Sequence, residues 1–300
     1  MIPIDVNIDL KHTGNFLTLL GIADTHFLCD SDEENAYQPL DYEAYQYLKY
    51  CANEIKKNPS YYGKVITYTG GDLTELERSS TRKVMRALRK NDTRAQDTIH
   101  KRILNDDILP KIKTLTDNTQ FIGGVAGNHM IEFSDDSNGT GYPNSEAYLI
   151  RRLGGQYCGE GKLLLNLHIK MGAQHCLKKV IITHGVKGGS KQSIIRELQQ
   201  IFYQYGKIDL VIKCHAHDPM AHFHCRYDLP DTKTGKIKKV ETLVMCLGST
   251  RDGEKIGYDD YSERFNYSPM AARYPVAVFH AYKPAANDRT IAVKIRPLIM

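Results

Sequence analysis

Along this chain, apolar stretches recur that are too short for ordinary helices, and each stops at a small residue followed by His, Asp or Asn. LTLLGIADTH, VITYTGGD, FIGGVAGNH, VIITHG and DLVIKCHAH all have this form. Apolar runs of about four to eight residues, rich in aliphatic and β-branched side chains and bounded by turn residues, have strand character. LLLNLHIK and CLKKVIITHG flank MGAQ, which predicts a hairpin turning at Gly172, and AHFHCRYDL and KIKKVETLVMCLGS flank PDTKTG in the same way. The tail AYKPAANDRTIAVKIRPLIM predicts a last hairpin at a sheet edge. From about Leu76 to Thr116 the periodicity changes: Val84, Met85, Leu88, Ile99, Ile103 and Leu104 recur at helical spacing. Strands interleaved with helical stretches predict an α/β chain.

What the strand ends deliver matters more than the strands. Asp24 and His26 close the first run, Asp72 the second, Asn128 and His129 the third, His184 the fourth, and His215 and His217 the fifth. In open α/β sheets ligands bind beyond the carboxyl ends of the strands, so these side chains are expected at one edge of a sheet. On extended backbone, residues two apart point to the same side, which pairs Asp24 with His26 and His215 with His217. The same alternation turns Cys214 away, into packing. Gly70, Gly71 and Gly127 stand directly before their polar residues, where they allow sharp turns or close backbone approach. Carboxylate and amide oxygen mixed with imidazole nitrogen suits Mn, Fe, Zn or Ni better than Ca or a closed structural zinc. Asp72 is the natural bridge between two ions, and two metals about 3.5–4 Å apart can clamp a phosphate and activate water.

The order D-x-H, G-D, G-N-H, H-G, H-x-H, running from Gly21 to His217, resembles the calcineurin-like metallophosphoesterase superfamily. The resemblance implies a two-sheet β-sandwich flanked by helices, in four α/β/β/α layers. It places Asp24, His26, Asp72 and His217 around one divalent ion, and Asp72, Asn128, His184 and His215 around the other. His129 corresponds to the general acid. Two positions depart from the pattern. Met130 follows G-N-H where many members carry an acid, so Glu132 or another carboxylate has to substitute, and Cys214 opens the last motif in place of Gly. GDLTELERSS lacks the acidic residue and Arg-Gly pair of the phosphoprotein-phosphatase branch, which disfavours that branch.

Composition narrows the picture modestly. The 300 residues suffice for one large domain, expected over 1–300 with an insertion at about 251–275, the polar segment RDGEKIGYDDYSERFNYSPMAARY. The N-terminal residues carry no basic region leading into an apolar one, and no apolar run reaches the roughly eighteen residues of a membrane span. Seven cysteines without C-x-x-C pairs predict free thiols and a cytoplasmic setting. His100, His168, His175, His222, His224 and His280 fall outside the motifs and are assigned to packing or surface, although His222 and His224 alternate along a strand and could line a pocket wall. The helical stretch is basic, and Arg82, Arg86 and Arg89 lie on one predicted face as a candidate ridge for a phosphate backbone. Against this ridge stands the acidic loop at Asp30, Asp32, Glu33 and Glu34, and the net charge of +5 does not decide between them. The expected function is a two-metal phosphoesterase, first a phosphodiesterase of nucleic acid (DNA or RNA) or nucleotides. The alternatives are a phosphomonoesterase of small molecules or phosphoproteins, and a non-catalytic scaffold of the same fold. A homodimer is compatible with the sequence, which sets no oligomeric state.

Overall fold

The structure is a computed structural model that describes residues 3–10, 15–27, 38–74, 93–133, 141–185, 191–215, 220–227, 237, 239–247, 275–284 and 291–299. Among the described residues, twelve strands form two six-stranded sheets. The first contains β1 (Ile4–Asp9), β6 (Lys162–Met171), β7 (Gln174–Thr183), β8 (Leu210–Lys213), β9 (Met220–Tyr227) and β10 (Lys239–Cys246), in the order β1-β6-β7-β8-β10-β9. The second contains β2 (Phe16–Ile22), β3 (Lys64–Thr69), β4 (Gln120–Gly124), β5 (Gln156–Tyr157), β11 (Pro275–Tyr282) and β12 (Ala292–Ile299), in the order β12-β11-β2-β3-β4-β5. The helices are α1 (Gln38–Lys57), α2 (Pro59–Tyr62), α3 (Thr93–Ile103), α4 (Leu109–Thr116), α5 (Ser145–Arg152) and α6 (Lys191–Tyr205).

Alternation along the strands explains why the sheets pack face to face. In the first sheet Leu163, Leu165 and Leu167 of β6, Val180 and Ile182 of β7, Leu210 and Ile212 of β8, and Leu243 and Met245 of β10 share one core with Leu17, Leu19, Ile66, Ile122 and Phe279 of the second. The residues between them, Ile181, Val211, Val244 and Cys246, point the other way and pack under Ile194, Ile201 and Phe202 of α6. Leu48 and Ile55 of α1 and Ile112 and Leu115 of α4 join the main core. Two sheets with helices outside them are the architecture expected from the motifs. Each fully buried aliphatic side chain contributes about 1.5–3 kcal/mol, so Ile182→Ala, which also leaves a cavity between the sheets, is a change of about 2–5 kcal/mol.

Two local features follow from proline chemistry. Helices α3 and α4 are joined by a π-helical turn, Leu104–Ile108, in which Leu109 N bonds to Leu104 O. Pro110 lies just beyond. It lacks an N–H and crowds the carbonyl four residues back, and widening the preceding turn accommodates it without breaking the helix. Pro297 sits in β12, an edge strand, where a missing donor can face outward. The hairpins β6–β7, β9–β10 and β11–β12 all pair antiparallel.

Parallel pairing sets up the site. In the second sheet β2, β3 and β4 run parallel and finish in register, Ile22 beside Thr69 and Thr69 beside Gly124. In the first, β7 and β8 run parallel and finish at Thr183 and Lys213. The five motif strands therefore belong to two sheets, three to one and two to the other, and not to the edge of a single sheet. The sandwich itself brings the two groups together.

Candidate metal centre

Beyond the ends of β2 and β3 the backbone ladder continues as two loops zipped together. Gly70 N donates to Ile22 O at 2.9 Å, Asp24 N to Gly71 O at 3.0 Å, His26 N to Asp72 O at 3.0 Å and Phe27 N to Leu73 O at 2.9 Å. Here the expectation of extended backbone is overturned. Asp24, His26, Asp72 and His215 have φ of 52°, 46°, 50° and 63°. The left-handed region is sparsely populated by residues other than glycine, with Asp, Asn and His the usual exceptions. Such conformations cost about 1–3 kcal/mol each and concentrate at functional sites. Asp24 and His26 reach the same cluster because each turns back, not because a strand alternates.

Glycine permits the loops to close on one another. A Cβ on Gly127 would overlap Asp72 Oδ1 and the Asp72 backbone nitrogen, so the G-N-H loop can rest against the G-D loop only with hydrogen there. Across the sandwich, a Cβ on Gly70 would overlap Cys214 Sγ. Cys214 is fully buried in the core between the sheets, and burial pushes its thiol pKa well up.

Asp72 lies at the centre. Its Oδ1 accepts from His129 N at 2.8 Å. Its Oδ2 is 3.1 Å from His184 Nε2, 3.8 Å from His215 Nδ1 and 4.0 Å from His129 Nε2. His184 Nδ1 donates to Gly70 O at 2.8 Å, which aims Nε2 at Asp72 Oδ2 and at Asn128 Oδ1, 3.1 Å away. Asp24 accepts His215 N on its Oδ1 at 3.2 Å and Oδ2 at 2.9 Å. Among the described residues, two groups could each hold a metal ion: Asp24, Asp72, His184 and His215, and His26, Asp72 and His129, with ligand atoms in each within 4.8 Å of one another. Asp72 is common to both.

The electrostatics fit a cation site. Burial works against the Asp72 carboxylate, yet hydrogen bonding from His184 and His215 holds its pKa well below the usual carboxylate range. Burial also opposes charge on His184, but Asp72 outweighs it and lifts the imidazole to about 9. One imidazole nitrogen facing two oxygen acceptors marks a place where positive charge is wanted, by a proton or by a metal. The donors are carboxylate, amide and imidazole, the set suited to a borderline divalent ion.

Of the sequence-derived residues, Asp24, His26, Asp72, Asn128, His129, His184 and His215 are thus brought together at one point between the sheets. His129 groups with His26, whose ring it meets edge-on at 4.7 Å. His217, Arg82, Arg86, Arg89, the acidic loop and the segment 251–274 lie outside the described residues. Among the other histidines, His168 pairs with Asp5 at 3.0 Å, His280 stacks on Phe16 and His224 stacks on Phe202 of α6. Glu132 is exposed, but a different carboxyl, Glu146 of α5, is wholly buried and bonds to the backbone just after Asp72. The sequence reading missed it, and also missed Lys213, which is buried behind the site and paired with Glu197 of α6. A lysine inside the apolar run DLVIKC was the available signal for the second.

No protein-family model matches the chain, and no curated protein does. Solved structures similar to it include a conserved uncharacterised protein of Streptococcus pneumoniae TIGR4, a predicted phosphoesterase, at 12% identity, over 94% of this chain and 98% of that one, with a TM-score of 0.33. Vps29 of Chaetomium thermophilum is similar at 11% identity over 95% and 97%, with a TM-score of 0.30. Likeness at this level leaves function to the chemistry of the site. The two-sheet sandwich and the clustered Asp and His side chains agree with the resemblance to calcineurin-like metallophosphoesterases seen in the motifs.

Proposed function

We propose that this chain is a metal-dependent phosphoesterase, and that its substrate is a phosphodiester of nucleic acid or nucleotides. The observation that carries the first part is Asp72: a buried carboxylate, held in a left-handed conformation, that belongs to both of the groups able to hold a metal. Asp24, His26, Asp72, Asn128, His184, His215 and His217 are the proposed ligands, with Asp72 shared between two ions of the Mn, Fe, Zn or Ni class. Such a pair, when bound, supplies neutralisation of phosphate oxygens and an acidified water.

The protein groups contribute orientation and proton transfer. Gly70 O accepts from His184 Nδ1 and so keeps Nε2 turned toward the centre, the usual way a ligand imidazole is fixed. The backbone of His215 steadies the Asp24 carboxylate. His129 is partly open to solvent, at 19% side-chain exposure, and its backbone is tied to Asp72. From there its imidazole can give a proton to the leaving oxygen as the ester bond breaks.

The diester part of the reading rests on the basic run between Arg78 and Arg102. The described α3 carries Arg94, Lys101 and Arg102 from it. We place the activity in one domain spanning 1–300, in the reducing setting of the cytoplasm, where the described cysteines, all free thiols, would remain so. No helix among the described residues is long and apolar enough to cross a membrane.

The test is a hydrolysis panel with Mn added, containing bis-para-nitrophenyl phosphate, its monoester analogue, single- and double-stranded DNA, RNA and cyclic nucleotides. Turnover of diesters without monoesters is the expected result. Monoester turnover alone would replace the substrate class, and no turnover of any phosphoester by metal-loaded protein would leave the non-catalytic scaffold.

A further inference from the structure

The first turn of α5 is built into the candidate centre from behind. Asn144 caps the helix, its Oδ1 accepting from Ala147 N at 2.8 Å, while its Nδ2 donates to the Tyr157 hydroxyl of β5 at 2.7 Å. Ser145 binds the segment that leaves the G-N-H loop through both its backbone and its side chain. Its backbone N donates to Ile131 O at 2.9 Å, and its Oγ accepts from Ile131 N at 3.0 Å. Glu146 reaches the other loop: its Oε1 accepts from Leu73 N, the residue after Asp72, at 2.8 Å. The opening of one short helix therefore holds two of the loops whose side chains meet at Asp72.

Glu146 is the informative member. It is wholly buried, and its Oε2 is enclosed without a hydrogen-bond partner. A buried carboxyl of this kind is expensive, and packing alone would be served by Leu or Met at no such cost. Burial, with the negative charge of Asp72 and Asp24 nearby, outweighs the Leu73 N–H and raises its pKa to about 8. Ionised or neutral, its Oε1 can accept the Leu73 N–H. What it retains is one well-directed acceptor for one backbone N–H.

We propose that Glu146 is a positioning residue for the metal centre: by fixing the Leu73 amide it sets the direction in which the left-handed Asp72 presents its carboxylate, with Ser145 doing the same for the G-N-H loop. The consequence for metal rests on the reading above, and the geometry does not. Hydrogen bonds that orient metal ligands from outside are typically worth about 10–100-fold in metal affinity.

Two measurements separate these levels. In the metal-free wild type, amide hydrogen exchange resolved at Leu73 should show strong protection that is lost in Glu146→Leu. Titration with Mn should show that Glu146→Leu weakens uptake by about tenfold or more, with circular dichroism and melting cooperativity retained. Glu146→Gln, which keeps the acceptor, should restore most of that loss. The proposal is overturned by an unprotected Leu73 amide in the wild type, a measurement that needs no variant to fold. Equal Mn affinity in wild type and Glu146→Leu also overturns it, as does a Gln variant as impaired as Leu. If wild-type protein takes up no Mn while Leu73 is protected, the metal reading fails and the loop anchor stands.

Discussion

At the scale of single residues, the centre is defined by side chains that accept unfavourable backbone for the sake of position. Asp72 is the sharpest case, since its two oxygens face different partners: Oδ1 takes the His129 amide, and Oδ2 faces imidazole nitrogens. Asp72→Asn keeps both the left-handed tolerance and an oxygen for the His129 N–H, so the chain should still fold, with a lower melting temperature because the charge pairing with His184 is lost. A neutral amide cannot bridge two cations well, so under the proposed two-ion site bound metal should fall below two ions per chain and activity should nearly vanish. Elemental analysis finding two ions in folded Asp72→Asn would remove Asp72 from the bridging role. His129 raises a different question, because its ring lies with His26 and Asp72 in a group that could hold a metal. As proton donor, its replacement in His129→Ala should leave metal content intact and lower the rate by about 10²–10⁴-fold. The loss should shrink for nitrophenolate, which departs without a proton. Loss of an ion, or equal losses on good and poor leaving groups, would make His129 a ligand or a positioning group instead. The identity of these residues was legible because the motif order survives in one sequence. Their conformation was not: alternation along a strand says nothing of a chain that turns left-handed two to four residues past its end.

At the scale of elements, the motif strands and the hairpins were readable because each carries a period-two pattern or a short apolar run closed by turn residues, whereas β1 and the two-residue β5 were not read. β6 and β7 meet at Gly172 as expected, and β12 takes an edge. The division of the motif strands between two sheets was not readable, since identical apolar runs serve either sheet and only tertiary packing assigns them. The helix α6 shows a second hidden feature. It covers the first sheet through Ile194, Ile201 and Phe202, but it also places Glu197 against the ammonium of Lys213, whose side chain is only 2% exposed. Lys213 directly precedes Cys214 and His215, and its side chain crowds Gly185 after His184. A buried pair is weak evidence for stability, yet removing one partner typically costs about 3–5 kcal/mol. Glu197 is 24% exposed, so Glu197→Leu should destabilise by less than that amount in urea unfolding. Adding Lys213→Met should recover most of the loss, because a well-packed apolar pair replaces a broken ionic one. If Glu197→Leu unfolds like wild type, the ion pair is not what fastens α6 beside the site.

At the scale of the whole molecule, the site is a product of the sandwich: neither sheet alone supplies both Asp72 and His184. That arrangement supports the class of reaction, whereas the substrate depends on what else meets it, and on this the sequence offers opposing charges. Arg82, Arg86 and Arg89 repeat at three- and four-residue spacing, which in a helix would group them on one face. The acidic stretch at Asp30, Asp32, Glu33 and Glu34 follows the D-x-H motif in sequence, and a polyanion would meet repulsion wherever the two approach it together. Salt separates the effects, because neutralising phosphates releases condensed counterions. If the three arginines receive a nucleic-acid backbone, duplex affinity should fall with salt at a slope of about −0.9 per phosphate contact. Replacing all three with Gln should flatten that slope by up to about three contacts, and should weaken cleavage of DNA while sparing bis-para-nitrophenyl phosphate. Reduced turnover of both substrates would point instead to a damaged centre, which metal content would reveal. Equal cleavage of DNA by wild type and triple variant at every salt concentration would make the run a solvated surface. The acidic stretch beside the D-x-H motif in sequence would then be the stronger charge signal, and it favours a small phosphoester over a long polyanion.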